Sequence, residues 1–224
     1  MRVRANDKPD GHWAATTRGW IYNRFVAGLT TEWYREVLAR LPDGATVLDV
    51  GIGTGAALAR SAELVRAKRL RIVGLDIDPD YLGRCRAELA TAGLTDRVTP
   101  VLASVYDHRG GPYDAVYFSA SLMLLPDPVR AIAHVAGQLV PEGRLFSTQT
   151  FHHRRSAFME WAKPLIHRIT TIHFGRVTYE HEFRRAFAEA GVELVELSTL
   201  AERGRFSYRL AIGRVHDDER AGAV

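Results

Sequence analysis

Asp49, Gly51, Gly53, Gly55 and Asp76 are the residues of this chain whose types and spacing could do chemistry together. In Val47-Leu48-Asp49-Val50-Gly51-Ile52-Gly53-Thr54-Gly55 a short apolar run of β type ends in three glycines at alternate positions, and a helical pattern follows at once. Glycine lets the backbone turn tightly and approach a ligand with no Cβ in the way. The free N–H groups of the next helix face the same crevice. Asp76 ends a second apolar run about 20 residues past Gly55, a spacing that suits a carboxylate accepting hydrogen bonds from ribose hydroxyls. The pattern predicts a site for an adenosine-containing cofactor.

The glycines alone leave the cofactor open. Gly51, Gly53 and Ala56 satisfy G-x-G-x-x-A, the dinucleotide fingerprint. Asp49, Gly51, Gly53 and Gly55 also read as D-x-G-x-G-x-G, which resembles motif I of the class I S-adenosylmethionine-dependent methyltransferases. Three further segments resemble that family in order and spacing. Pro112-Tyr113-Asp114-Ala115-Val116 resembles the start of its fourth strand, and Leu124-Leu125-Pro126-Asp127-Pro128 the opening of the next helix. Leu139-Val140-Pro141-Glu142-Gly143-Arg144-Leu145 resembles the lead into strand five. The resemblance covers about residues 40 to 150. A nicotinamide oxidoreductase would need a hydride-relay residue, and no Tyr-x-x-x-Lys occurs.

The elements that must position these residues alternate. Strands are predicted at 45–50, 70–76, 98–102, 113–119 and 144–149, with helices at 54–67, 79–92 and from Asp127 to about 139. Residues 18–41 read as two helices, Thr30 or Thr31 capping the second and Trp33, Val37 and Leu41 sharing a face. Helices at 154–172 and 178–190 precede two last strands, 192–199 and 205–213. Such alternation implies an α/β, doubly wound, mostly parallel sheet with right-handed crossovers. The last two strands are joined too tightly for a crossover and must be antiparallel. The resemblance adds a seven-stranded Rossmann-like methyltransferase fold of order 3-2-1-4-5-7-6 with strand seven antiparallel. Ligands bind outside the carboxyl ends of such strands.

The organisation expected is a helical lid over 1–40, a methyltransferase domain over 41–215 with a helical insertion at about 151–175, and a disordered tail at 216–224. A length of 224 residues, 46% hydrophobic and 25% charged, fits one ordinary α/β domain. No apolar stretch is long enough to span a bilayer, and Met1 to Asp10 lacks the apolar core of a secretory signal. The single cysteine, Cys85, fits a reducing cytoplasm and reads as a small apolar residue on a helix face. A net charge of +4 invites a nucleic-acid partner, but the basic residues, all arginine except Lys8, Lys68 and Lys163, are scattered without a dense run. Nucleic acid is therefore not the expected partner.

Given the resemblance, S-adenosyl-L-methionine is the expected cofactor, and roles follow loop by loop. Gly51, Gly53 and Gly55 admit its methionyl part, while Asp49 orients the loop or takes the ammonium through water. Asp76 holds the ribose and Ile77 packs on adenine, with Asp78 capping the following helix. Ser104 replaces the family's adenine-binding aspartate or is a plain cap, and the Val105 N–H reaches the ring. Ser119 closes the site after strand four, where Ser119-Ala120-Ser121 departs from the (N/D)PP(Y/F) motif of amide- and adenine-methylating relatives. His152 and His153, directly after strand five, are the candidates for a general base. Histidines crowd the C-terminal half, yet no acidic residue shares a helix face with one at ligand spacing except Glu160 with His167, so no metal is expected.

The acceptor should meet the least family-like segments, 11–34 with Trp13, Trp20, Tyr22, Phe25 and Trp33, and 151–175 with Phe151, Phe158, Trp161 and Phe174. Tyr22, Phe151 and Trp161 are the substrate contacts expected. The function expected is methyl transfer to a carbon, nitrogen or oxygen of a small apolar or aromatic acceptor. An RNA or protein methyltransferase, a nicotinamide oxidoreductase and a silent cofactor-binding subunit remain alternatives.

Overall fold

Val47, Leu48 and Val50 are apolar toward both faces, as a central parallel strand buried on both sides requires, and their strand, β1 (Thr46–Val50), lies at the middle of the sheet. The computed structural model describes residues 30–152 and 178–215. Around β1 stand β2 (Arg71–Asp76), β3 (Val98–Leu102), β4 (Tyr113–Ser119), β5 (Leu139–His152), β6 (Val192–Arg203) and β7 (Phe206–Val215). They form one seven-stranded sheet of order β3-β2-β1-β4-β5-β7-β6. The first five pair in parallel, and β7 runs antiparallel to both β5 and β6. The strand order and the antiparallel seventh strand are those the resemblance implied.

Helices cover both faces. On one side, α1 (helical over 30–40), α2 (Ala56–Ala59), α3 (Ala62–Ala67) and α4 (Pro79–Thr91) bury Val37, Leu38, Leu58, Val65, Leu82 and Leu89 against Val47, Ile72, Tyr117 and Phe146. On the other, α5 (Pro128–Ala136) and α6 (Glu180–Glu189) bury Ile132, Val135, Phe183 and Phe187 against Leu48, Val116, Phe118 and Leu145. Asp78 caps α4 by accepting from Asp80 N and Tyr81 N, as its place before Pro79 predicts. Asp127 caps α5 by accepting from Arg130 N.

Four local expectations are corrected. The helix predicted over 54–67 is broken into α2 and α3 at Arg60 and Ser61, where Ser61 Oγ donates to Ala57 O and opens the ladder. Thr31 lies within α1 and does not cap it, while Thr30 is the first described residue. The helix predicted to run to 139 stops at Ala136, because Leu139 pairs with Tyr113 at the start of β5. Strand five extends from 139 to 152 and not only 144–149, since β7 supplies partners out to His152, opposite Phe206. The first N-terminal helix, the 154–172 helix, the tail, and Trp13, Trp20, Tyr22, Phe25, His153, Phe158, Trp161 and Phe174 lie outside the described residues.

Candidate cofactor and acceptor site

The three glycines share a left-handed backbone, with φ of 80° at Gly51, 59° at Gly53 and 67° at Gly55. Their surroundings differ. A Cβ at Gly51 would sit 2.8 Å from Ser121 Cβ, and one at Gly55 2.7 Å from Cys85 Sγ. One at Gly53 would meet nothing within 4 Å. The outer glycines are demanded by packing, and the middle one faces open space. The loop is pinned to β2, where Leu75 O accepts from Gly51 N and Ile52 N and Asp76 Oδ2 accepts from Gly53 N at 2.9 Å. Gly74 in β2 makes room for Ile52, since a Cβ there would collide with its side chain.

Asp76 therefore joins two loops. Its Oδ1 accepts from Asp78 N at 2.9 Å, which holds the carboxylate rigid at the carboxyl end of β2. Beside it Ile77 is 75% exposed, and Leu102, paired with Asp76 across β2 and β3, is 56% exposed. Two aliphatic side chains are thus left in water at adjacent strand ends, where they could cover a flat apolar group. Ser104 Oγ accepts from Tyr106 N at 3.3 Å, shaping the turn after β3, and the Val105 side chain is buried in the core.

Under the glycine loop, Asp49 is 1% exposed. Tyr34, from α1, donates its hydroxyl to Asp49 Oδ2 at 2.7 Å. Asp49 Oδ1 is buried with no hydrogen-bond partner among the described residues. Burial pushes the Asp49 carboxyl up to about 7, the Tyr34 hydrogen bond opposes this, and the nearby Asp76 charge adds to it. Tyr34 stacks edge-on against Tyr117 at 5.1 Å, and the Tyr117 hydroxyl shares a 2.8 Å hydrogen bond with Thr148 Oγ1. A cleft of about 170 Å³ opens here, lined by Thr30, Tyr34, Gly51, Gly55, Arg60 and Ser119. It is smaller than a whole-ligand pocket and has room for a methionyl-sized group, leaving an adenosine to lie along Asp76, Ile77 and Leu102. The residues present thus fit S-adenosylmethionine: open space at Gly53 where a side chain would project, an orphaned buried carboxyl oxygen on Asp49, and the fixed Asp76 carboxylate beside exposed Ile77.

β4 and β5 end at different heights. Ser119 pairs with Thr148, and β5 continues to His152, about 13 Å further along the strand at normal strand rise. This overhang carries His152, whose ring packs edge-on against Phe206 at 4.5 Å and whose backbone N–H donates to Thr178 O. A second cavity of about 400 Å³ is lined by Phe151, His152, Tyr179, Glu180, Arg184 and Arg209. Glu180 Oε1 accepts from Arg184 Nε at 2.7 Å and Oε2 from Arg209 at 2.5 Å, and these bonds hold the Glu180 carboxyl below its usual range. Phe151 is buried against Phe183, with the Arg209 guanidinium 5.2 Å from its ring centroid. Of the acceptor and base candidates, the structure describes Trp33, Phe151 and His152, and Trp33 is buried in α1 with its ring 5.9 Å from that of Tyr208.

Tyr34 and Leu102 were missed in the sequence. Tyr34, Leu38 and Leu41 repeat at helical spacing, so the stripe was legible, but a tyrosine on such a stripe reads as core. Leu102 reads as the buried end of a strand, and only its exposure reveals the shelf.

A family model described as a methyltransferase domain matches residues 22–197. The aklanonic acid methyltransferase DauC of Streptomyces sp. (strain C5) is 35% identical over 106 residues, 47% of this chain and 48% of that protein. The nocamycin O-methyltransferase of Saccharothrix syringae is 36% identical over 122 residues, 51% of this chain and 43% of that protein. The chain spans about half the length of the curated relatives it matches. Among solved structures, geranyl diphosphate C-methyltransferase from Streptomyces coelicolor A3(2), in complex with Mg2+, geranyl diphosphate and S-adenosyl-L-homocysteine, shares the fold. Its TM-score is 0.67 at 13% identity, over 93% of this chain and 86% of that one. With the family match running from Tyr22 through the glycine loop, Asp76 and β5 into β6, the chain belongs to the methyltransferase-domain family.

Proposed function

We propose that this protein transfers a methyl group from S-adenosyl-L-methionine to a carbon, nitrogen or oxygen of a small apolar or aromatic acceptor. The observation that carries it is Gly53: an open-faced, left-handed glycine whose N–H is tied to the Asp76 carboxylate beside exposed Ile77. Gly51 and Gly53 let backbone approach the methionyl part, Asp76 accepts from the ribose hydroxyls, and Ile77 with Leu102 covers adenine. Ser104 and the Val105 N–H complete the adenine end, and Ser119 closes the cleft after β4. When bound, the cofactor supplies a methyl group on a cationic sulfonium, open to in-line displacement.

The protein's task is to hold the acceptor aligned and dry, which is a large share of the rate enhancement in such a displacement. The β5 overhang, with Phe151 and His152, is the wall against which the acceptor would lie, completed by Tyr22 and Trp161. Where the acceptor must lose a proton, His152 or His153 takes it. Relatives named for aklanonic acid and nocamycin support a small-molecule acceptor. No helix among the described residues is long and apolar enough to cross a membrane, and the single cysteine supports a cytoplasmic setting.

The test is ligand-induced stabilisation followed by turnover. S-adenosylhomocysteine is expected to raise Tm while NAD and NADP do not, because only a ligand bound to the native state stabilises it. Asp76→Ala weakens that effect by about 1–3 kcal/mol, the range for losing charge-assisted hydrogen bonds. A screen of small aromatic and apolar metabolites should then release S-adenosylhomocysteine. A shift with NAD and none with S-adenosylhomocysteine overturns the proposal.

A further inference from the structure

Two carboxylates, Asp49 and Asp76, flank the glycine loop, and among the described residues only one oxygen of Asp49 has a hydrogen-bond partner. Its partner is the hydroxyl of Tyr34, a residue of α1 that also lines the cleft. Tyr34 is itself held by its edge-on contact with Tyr117, so its hydroxyl does not wander. We propose that Tyr34 is a positioning residue for cofactor binding: it grips Oδ2 of Asp49, leaves Oδ1 for the cationic ammonium of the methionyl group, directly or through a water, and so couples docking of α1 to occupancy of the glycine loop. This rests on the methyltransferase reading above and extends it to a residue of the N-terminal helix.

The electrostatic surroundings set the sign of the coupling. Among the described residues, the titratable groups that interact with Asp49 are Tyr34 from α1, Tyr117 from β4, Asp76 from β2 and Cys85 from α4, none of them a cation, while Arg60 lines the same cleft. Burial of Asp49 and the Asp76 carboxylate favour a neutral Asp49, whereas the Tyr34 hydroxyl favours the ionised form. A cationic ligand also favours the ionised form, so binding near neutral pH expels a proton from Asp49. Affinity therefore rises as pH climbs through about 7. Without the Tyr34 hydroxyl, Asp49 holds its proton to higher pH, and binding weakens most where the wild-type carboxyl is already ionised and the variant's is not.

Isothermal titration of the full chain with S-adenosylmethionine from pH 6 to pH 9 tests this, using wild type, Tyr34→Phe, Asp49→Asn and the double variant. Wild type should bind more tightly as pH rises from 6 through about 7 and release a proton there, read from the dependence of binding heat on buffer, before the ligand's own α-amino group loses its charge at about pH 8. Tyr34→Phe should weaken binding about tenfold near pH 7, the equivalent of one hydrogen bond to a charged group, move the pH midpoint upward, and approach wild type at pH 9. Asp49→Asn should abolish the rise through about pH 7, leaving only the change that follows deprotonation of the ligand's own α-amino group at about pH 8, and Tyr34→Phe should have no further effect in that background. An unchanged midpoint, a uniform loss at every pH, or an equal loss in the Asp49→Asn background overturns the proposal. Should Tyr34→Phe not fold, 3-fluorotyrosine in place of Tyr34 keeps the shape and strengthens the donor. The midpoint must then move downward, and a fixed midpoint refutes the role. Absence of binding by wild type would instead refute the methyltransferase reading.

Discussion

Gly51, Gly53 and Gly55 have the same backbone sign and different obligations. Alanine in the left-handed region costs about 1–2 kcal/mol at any of them. At Gly51 and Gly55 the collisions with Ser121 and Cys85 add to that. Gly51→Ala and Gly55→Ala should therefore lose about 2–4 kcal/mol in urea unfolding. Gly53→Val should remain folded and lose S-adenosylhomocysteine binding, since its side chain would project into the cofactor's path. Binding that survives Gly53→Val removes the loop from the site. Asp49 gives a pH signature. Its carboxyl rises from an ordinary 3.8 to about 7 in the fold, so the native state holds a proton that the unfolded chain has released. Stability of the free protein falls as pH rises between those values, and the loss is complete above about 7. Against Asp49→Asn, wild type should lose on the order of 3–4 kcal/mol between pH 4 and pH 8, measured by denaturant unfolding. Parallel pH profiles for the two proteins would mean that Asp49 titrates normally.

Among the elements, β5 matters most for chemistry. Its extension past Ser119 exists because β7 pairs with it as far as Phe206, and that pairing lifts His152 above the carboxyl edge of the sheet. With an acceptor that must be deprotonated, His152→Ala is expected to lower kcat by about 10²–10⁴-fold and leave cofactor affinity unchanged. An unchanged kcat for both His152→Ala and His153→Ala would leave catalysis to alignment alone. The first crossover is also broken, into α2 and α3. At the break Ser61 N donates to Leu58 O while Ser61 Oγ takes the Ala57 carbonyl.

At the scale of the whole molecule the proposal predicts an enclosed acceptor and not an open charged groove. Segments 11–34 and 151–175 should close over the methyl group, so hydrogen exchange there slows when cofactor and acceptor are bound together. Sub-micromolar RNA binding with a steep salt slope, protecting arginine-bearing surface and not these segments, would reassign the protein to RNA methylation. The surface ion pairs do not argue for such a groove. Arg35–Glu32, Arg69–Asp43 and Arg185–Glu189 are exposed, well-spread pairs that contribute little individually.

The amino-acid sequence by itself determined the alternation of strands and helices, the glycine loop, the Asp76 position and the cap at Asp78. Each of these depends on a few contiguous residues: side-chain periodicity, glycine's steric freedom, or a carboxylate bonding the next turn. Tertiary structure decided which glycine faces open space, how far β5 runs, where the first crossover helix breaks and why Leu102 is exposed. It also brought Tyr34 onto Asp49. Those outcomes depend on atoms distant in the chain: Ser121 and Cys85 beside the loop, β7 beside β5, and a helix whose hydroxyl meets a carboxylate that burial has removed from water. Burial, free volume and local dielectric are sums over neighbours that only folding brings together, and no local pattern encodes them.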